Sequence, residues 1–155
     1  AAAVVPPLFG GKAITKSSFA MLGFAAIPML ALRAALPIAP VENSANPRHL
    51  IAAVPEALRS QPVFNGYTFG GPLILAGIKP YIDGRADLYG DAFVTDYNEI
   101  TQGDVARFNR AVERYGIRWT MLPPSNTRLV QALDTSPLWR RIYTDRIGII
   151  HVRRD

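Results

Sequence analysis

Sixteen consecutive residues, Ser17 to Leu32, carry no charge and include Phe19, Met21, Leu22, Phe24, Ile27, Met29, Leu30 and Leu32. Continuing through Arg33 to Val41 gives about 25 residues with a single charge, against the roughly 20 apolar residues that a bilayer span requires. The run therefore predicts a transmembrane or membrane-embedded helix. A helix buried against the chain's own sheet is the alternative. Arg33 can snorkel to an interface, and Pro28 kinks a membrane helix without forbidding it.

Charge follows the same division. The chain of 155 residues carries a formal +5, and +3 of it comes from Lys12, Lys16 and Arg33 in the first 40 residues, which hold no acid. Lys12 and Lys16 precede the apolar run, so the positive-inside rule places that end in the cytoplasm and the chain after Pro40 outside it. The excess is thus a topology signal, and a nucleic-acid partner is not expected. The basic series Arg107, Arg110, Arg114 and Arg118 reads as the solvated face of a helix, without the interleaved exposed aromatics that stack bases. The chain opens on Ala1-Ala2-Ala3 without Met and reads as a fragment or processed product, with 1–9 as the tail of a preceding span and 10–18 as a cytoplasmic loop.

Pro37, Pro40 and Pro47 around Asn43-Ser44-Ala45-Asn46 mark a linker. Three parts follow: a membrane-proximal segment over 1–40, a linker and short helix over 41–60, and an extracytoplasmic domain over 61–155. Asn46-Pro47 is expected to cap a helix over Arg48–Val54 with proline at its first position, and Pro55 to break it or restart it into Glu56–Ser60. Val63-Phe64 and Lys79–Asp83 read as strands. Asp91–Thr101 places Phe93, Val94, Tyr97 and Ile100 on a helical face. Asp104 caps a helix bearing Val105, Phe108, Val112 and Tyr115, and Gly116 stops it. Ile117–Leu122 reads as a strand, Ser125 or Asn126 opens a helix through Leu129, Val130 and Leu133, and Trp139–Thr144 with Ile147–Arg153 form a hairpin about Asp145-Arg146. The expected class is α/β: a small mixed sheet, parallel in the middle with an antiparallel edge, flanked by helices, closed by a C-terminal antiparallel hairpin and preceded by a transmembrane helix.

The chemistry concentrates in Val63–Asp91. Asn65, Gly66, Tyr67, Thr68, Phe69, Gly70 and Gly71 follow a strand, and the glycines permit close backbone approach. Pro72–Leu75 can then begin a helix whose N–H groups attract an anion. The pattern is neither a dinucleotide fingerprint nor a P-loop. Tight-turn packing is the competing account. Asp83, Arg85, Asp87 and Tyr89 sit after the second expected strand, at the edge where open α/β sheets bind ligands. Two carboxylates about an arginine can take a cation, a sugar hydroxyl or a charged peptide end. They can equally lock the loop through an ion and hydrogen-bond network. No residue is assigned a catalytic role. His49 and His151 lack partners at ligand spacing, the chain has no cysteine, and no metal site is expected. Ser125 and Ser136 lack a nucleophile elbow or nearby histidine.

The runs VFNGYTFGGPLI, YIDGRADLYGD, RYGIRWTMLPP and WRRIYTDRIGIIHVRR, together spanning roughly Gln61–Arg154, resemble the C-terminal soluble domain of bacterial polytopic membrane proteins of the GT-C glycosyltransferase type. In that group a Gly-Gly-x-Leu-Ile segment precedes Asp-Gly-Arg, as Gly70-Gly71-Pro72-Leu73-Ile74 precedes Asp83-Gly84-Arg85 here. The resemblance implies a bacterial inner-membrane protein with this domain in the periplasm, a polyprenyl-phosphate sugar as donor, and the lipid bilayer and upstream transmembrane region as partners. It also implies that the catalytic carboxylate lies in an early loop outside this chain, so the domain positions an acceptor or covers the active site. A more distant likeness is to the oligosaccharyltransferase catalytic subunit. Its Trp-Trp-Asp-Tyr-Gly motif corresponds to Gly66-Tyr67-Thr68-Phe69-Gly70, which has neither the tryptophans nor the aspartate, so peptide recognition does not carry over. The alternative is a self-contained soluble α/β binding module.

Overall fold

Hydrophobic alternation in two short strands sets the architecture of the second part of this chain. In β1 (Val63–Asn65), Val63 and Phe64 are both buried but join different clusters. In β2 (Trp119–Leu122), Trp119 and Met121 join the cluster of Val63, and Leu122 joins that of Phe64. The pleat sends successive side chains to opposite faces, so a strand buried on every residue belongs to a sheet covered on both sides.

The computed structural model describes residues 16–36 and 41–154, with the side chains of the first helix described at 24 and 26–36. The readings made above for 1–9, for 10–15 and for Pro37 to Pro40 lie outside the described residues. The chain divides into two units between residues 39 and 40.

In the first unit, helix α1 (Lys16–Ala35) contains Pro28 and ends on Arg33 in its last turn. Phe24, Ile27, Met29, Leu30 and Leu32 are all exposed. They are spread around the helix, with no apolar stripe. Among the described residues no helix is long and apolar enough to cross a membrane.

The second unit opens on a turn in which the Asn43 Oδ1 accepts from the backbone N–H groups of Ala45 and Asn46. Helix α2 (Arg48–Ala52) has Pro47 as its N-cap, one position later than the sequence pattern predicts, and no side-chain acceptor from Asn46. The Glu42 carboxylate instead takes the His49 N–H at 3.0 Å, and the Asn46 amide donates to Val41 O. After α3 (Glu56–Arg59) and β1, a 3-10 turn at Tyr67–Phe69 runs into α4 (Gly70–Leu75). A second 3-10 turn, Ala86–Leu88, precedes α5 (Asp91–Thr101). Helix α6 (Val105–Tyr115) starts where the Asp104 carboxylate accepts from Arg107 N and stops at Gly116, whose φ is 64°. Then come β2, α7 (Thr127–Thr135), β3 (Trp139–Thr144) and β4 (Ile149–Arg153).

The four strands form one mixed sheet in the order β1-β2-β4-β3. β1 lies parallel to β2, with Val63 opposite Trp119, and the pairs β2–β4 and β4–β3 are antiparallel. The parallel pair thus sits at one edge, where the sequence pattern had placed it in the middle. The difference comes from Lys79–Asp83, which is a loop with a bend at Tyr81 and not a strand. One face carries Phe64, Ile82, Ile100, Phe108, Leu129 and Ile149, and the other carries Leu50, Val63, Phe69, Leu73, Trp119 and Ile150. Leu50 and Val54 belong to that second cluster, so the segment over 41–60 is built into the domain and is more than a linker.

Two buried polar groups on neighbouring strands need partners. His151 on β4 stands opposite Thr120 on β2. With the ring neutral, its Nε2–H donates to Asp134 at 2.9 Å and its Nδ1 faces the Thr120 hydroxyl at 3.4 Å. Asp134 also receives the Arg141 guanidinium.

Candidate functional site

The site grows from the end of β1. Asn65 is fully buried there and uses its whole amide. Its Nδ2 donates to Gly66 O and Ile82 O, both at 2.9 Å, and its Oδ1 accepts from Tyr81 N at 2.8 Å and Ile82 N at 3.4 Å. A side chain thus does for the 81–82 backbone what a neighbouring strand does elsewhere. Lys79–Asp83 is thereby held beside β1 without belonging to the sheet. The hydroxyl of Tyr97 on α5 donates to Asn65 O at 3.3 Å. Burial pushes that phenol up to about 12 and keeps it a donor.

Gly70 makes this arrangement possible. A Cβ there would collide with the Ile82 carbonyl and stand 2.5 Å from Asp83 Cα. Only glycine lets α4 press on the Ile82–Asp83 backbone. Gly71 has open space around it and carries no such requirement.

Asp83, held from both sides, is buried, and its carboxylate closes the following turn. Oδ1 accepts from Arg85 N at 2.9 Å and from Arg85 Nε at 3.0 Å, and Oδ2 accepts from the Arg85 terminal nitrogen at 2.7 Å. The Arg85 hydrogen bonds hold this carboxyl well below the usual carboxylate range, with a smaller contribution from the Tyr89 hydroxyl. The Asp83 carboxylate in turn raises Arg85. Burial and the same carboxylate raise Tyr89. Arg85 keeps 64% of its side chain exposed. Asp87 is exposed and, among the described residues, makes no hydrogen bond or ion pair, so the loop holds one carboxylate–arginine pair and not a bracket of two.

A row of rings leads from this pair into the core. Tyr89 stacks on Phe93 at 5.1 Å, Phe93 on Tyr81 at 5.0 Å, and Tyr81 meets Phe64 at 4.9 Å and the edge of Tyr115 at 5.2 Å. Tyr81, Tyr89, Phe93 and Tyr115 wall a groove of about 800 Å³ that Ile74, Lys79, Asp83 and Arg85 also line. Aromatic walls with a few placed polar groups are the usual make-up of a ligand groove. Lys79 and Arg85 against Asp83 leave the lining with one excess positive charge.

The residues singled out by sequence divide three ways. Asp83, Arg85 and Tyr89 line this groove. Tyr67 lines a separate opening on the far side of Asn65, described below. Asn65, Phe69 and Gly70 are buried and serve as the frame between the two, with no atom free for a ligand. Helix α4 begins at Gly70 and runs only 6 residues, so the expected anion-attracting start at Pro72 is not formed. Tyr81, Phe93 and Tyr115 are the lining residues that sequence reading missed. For Phe93 the signal was its four-residue spacing from Tyr89 and Tyr97, which reads equally as the core face of a helix.

Among the described residues no group of His, Asp and Glu can hold a metal ion. No protein family, curated protein or solved structure matches this chain.

Proposed function

We propose that this chain is the extracytoplasmic accessory domain, with its membrane helix, of a bacterial inner-membrane glycosyltransferase of the GT-C type that uses a polyprenyl-phosphate sugar. The domain positions an acceptor or covers the active site, and the transfer chemistry belongs to the upstream transmembrane region. The observation that carries this reading is the segregation of apolar side chains. Residues 41–154 fill both faces of their sheet from their own sequence, while α1 exposes Phe24, Ile27, Met29 and Leu30 on several sides. A helix apolar all round belongs in a membrane or a large core.

The Asp83–Arg85 groove is the surface offered to the acceptor. Its aromatic wall supplies apolar contact, and the exposed end of Arg85 supplies directed donors whose position the Asp83 fork fixes. A soluble binding module with the same groove is the competing reading. The two separate on membrane association and topology, and a single-cysteine labelling experiment, given at the end of the Discussion, decides between them.

A further inference from the structure

Parallel strands deliver their following loops to the same edge of a sheet, and ligands in such sheets collect there. In this domain the loops after β1 and β2 meet closely. A Cβ on Gly66 would stand 2.6 Å from Pro123 Cδ, so only glycine fits between them. The two loops and the 42–44 turn enclose an opening of about 700 Å³. It is distinct from the Asp83–Arg85 groove and shares no lining residue with it.

The lining has a definite chemistry. One wall is the ring of Tyr67, which is 41% exposed, flanked by Pro123 and Pro124. The polar groups around it are neutral hydroxyls and amides. Among the described residues the side chains of Ser44, Thr68, Ser125 and Asn126 line the opening without making any hydrogen bond. Among the described residues, the only ionisable carboxylate in the lining, Glu42, already accepts from His49 N at 3.0 Å. Among the described residues, Arg146 is the one cation in the lining and is exposed, too little to select an anion by paired contacts. A flat apolar face beside several unspent neutral donors and acceptors matches a ligand that has C–H faces and many hydroxyls and no net charge.

We infer that this opening is a binding site for a neutral saccharide, with one pyranose ring on the face of Tyr67 and its hydroxyls bonded by Thr68, Ser125 and Asn126. The inference does not depend on the membrane reading, because a soluble module carries the same opening.

The test uses the full chain, labelled with 15N, in a sugar-free zwitterionic detergent. Maltotriose, cellotriose and mannotriose are titrated to about 20 mM, with AMP and inorganic phosphate as anionic comparisons. At least one trisaccharide is expected to shift the Tyr67, Thr68, Ser125 and Asn126 amides saturably, with a Kd on the order of 1 mM. Tyr67→Ala should weaken that binding at least tenfold, and Tyr67→Phe, which keeps the stacking face, about threefold or less. Should Tyr67→Ala fail to fold, the double variant Thr68→Val, Ser125→Ala is read in its place, with an expected loss of about threefold or more. The proposal is overturned if no trisaccharide moves these amides, if AMP or phosphate moves them more strongly, or if the variants bind as the parent does. None of these outcomes alters the expected topology, so the two readings fail separately.

Discussion

Asp83 and Arg85 are two residues apart, and the Asp83 carboxylate takes three hydrogen bonds from Arg85, one from its backbone and two from its guanidinium. The carboxylate is buried and the guanidinium largely exposed. A core-anchored acid thus holds a surface cation in one orientation at the rim of an aromatic groove.

The pH dependence of this pair follows from its direction. The folded-state pKa of Asp83 is depressed, chiefly by the Arg85 side-chain hydrogen bonds, so the unfolded chain binds the proton first as pH falls. The stabilisation is complete above about pH 5 and is lost progressively as pH falls below about 4. Asp83→Asn should cost about 1 to 2 kcal/mol at pH 7, less than a fully buried pair because Arg85 faces solvent. Urea unfolding of both proteins across this range should show the gap closing toward pH 2.

Gly70 and Gly71 are adjacent and should respond in opposite directions. Gly70→Ala drives a methyl into the Ile82–Asp83 backbone and should destabilise by about 2 to 3 kcal/mol. Gly71→Ala meets nothing within 4 Å in a helical position and should be neutral or stabilising by up to about 1 kcal/mol. Thermal melts of the two variants check the contrast.

Asn65 is predicted to hold the 81–82 segment in place by its side chain alone. Asn65→Ala should cost about 2 to 4 kcal/mol, since it leaves buried backbone groups of Tyr81 and Ile82 without partners. Asn65→Asp should cost more at neutral pH, because a carboxylate would then face the Gly66 and Ile82 carbonyls. Hydrogen exchange gives the specific readout: the Tyr81 amide should lose protection in both variants well before the β2–β4 ladder does.

His151 gives a second pH effect nearer neutrality. Burial lowers its pKa, and the attraction of Asp134 offsets only part of that. Between the lowered folded value and the unfolded value near 6.5, the unfolded chain binds more protons, so stability falls as pH drops from about 7 to 5. The slope stays below about 1.4 kcal/mol per pH unit, the limit for one proton, and should flatten in His151→Gln. Chemical denaturation at half-unit steps over that range measures it.

The capped and periodic elements were readable from the chain. Asp91–Thr101 was bounded correctly from its helical spacing, and Asp104 with Gly116 marked both ends of α6, because caps and periodicity are local properties. The hairpin about Asp145-Arg146 was legible for the same reason, and the Asp145 carboxylate accepts from Ile147 N and Gly148 N. Lys79–Asp83 misled because its composition suggests a strand, yet its backbone partner is the Asn65 side chain, which no alternation pattern reveals. Without that strand the parallel region shrinks to β1–β2 at the edge. The candidate loop was found in the right stretch, but its residues separate by burial. Phe69 and Gly70 face inward while Tyr67 is exposed, although all three lie within four positions. Of the groove wall, Tyr81 and Tyr115 could not be read, since they join Phe93 only when three segments pack.

The chain contains no cysteine, which allows a direct test of its proposed place at the membrane. Ser125, an exposed residue of the loop after β2, is replaced by cysteine, and the full chain is expressed in a bacterium whose inner membrane is kept intact as spheroplasts. A membrane-impermeant maleimide is then applied from outside, before and after lysis. A membrane-anchored extracytoplasmic domain predicts a protein that stays with the membranes through alkaline carbonate and is fully labelled at Ser125→Cys in intact spheroplasts. Release of the protein into the soluble fraction, or labelling only after lysis, would contradict it.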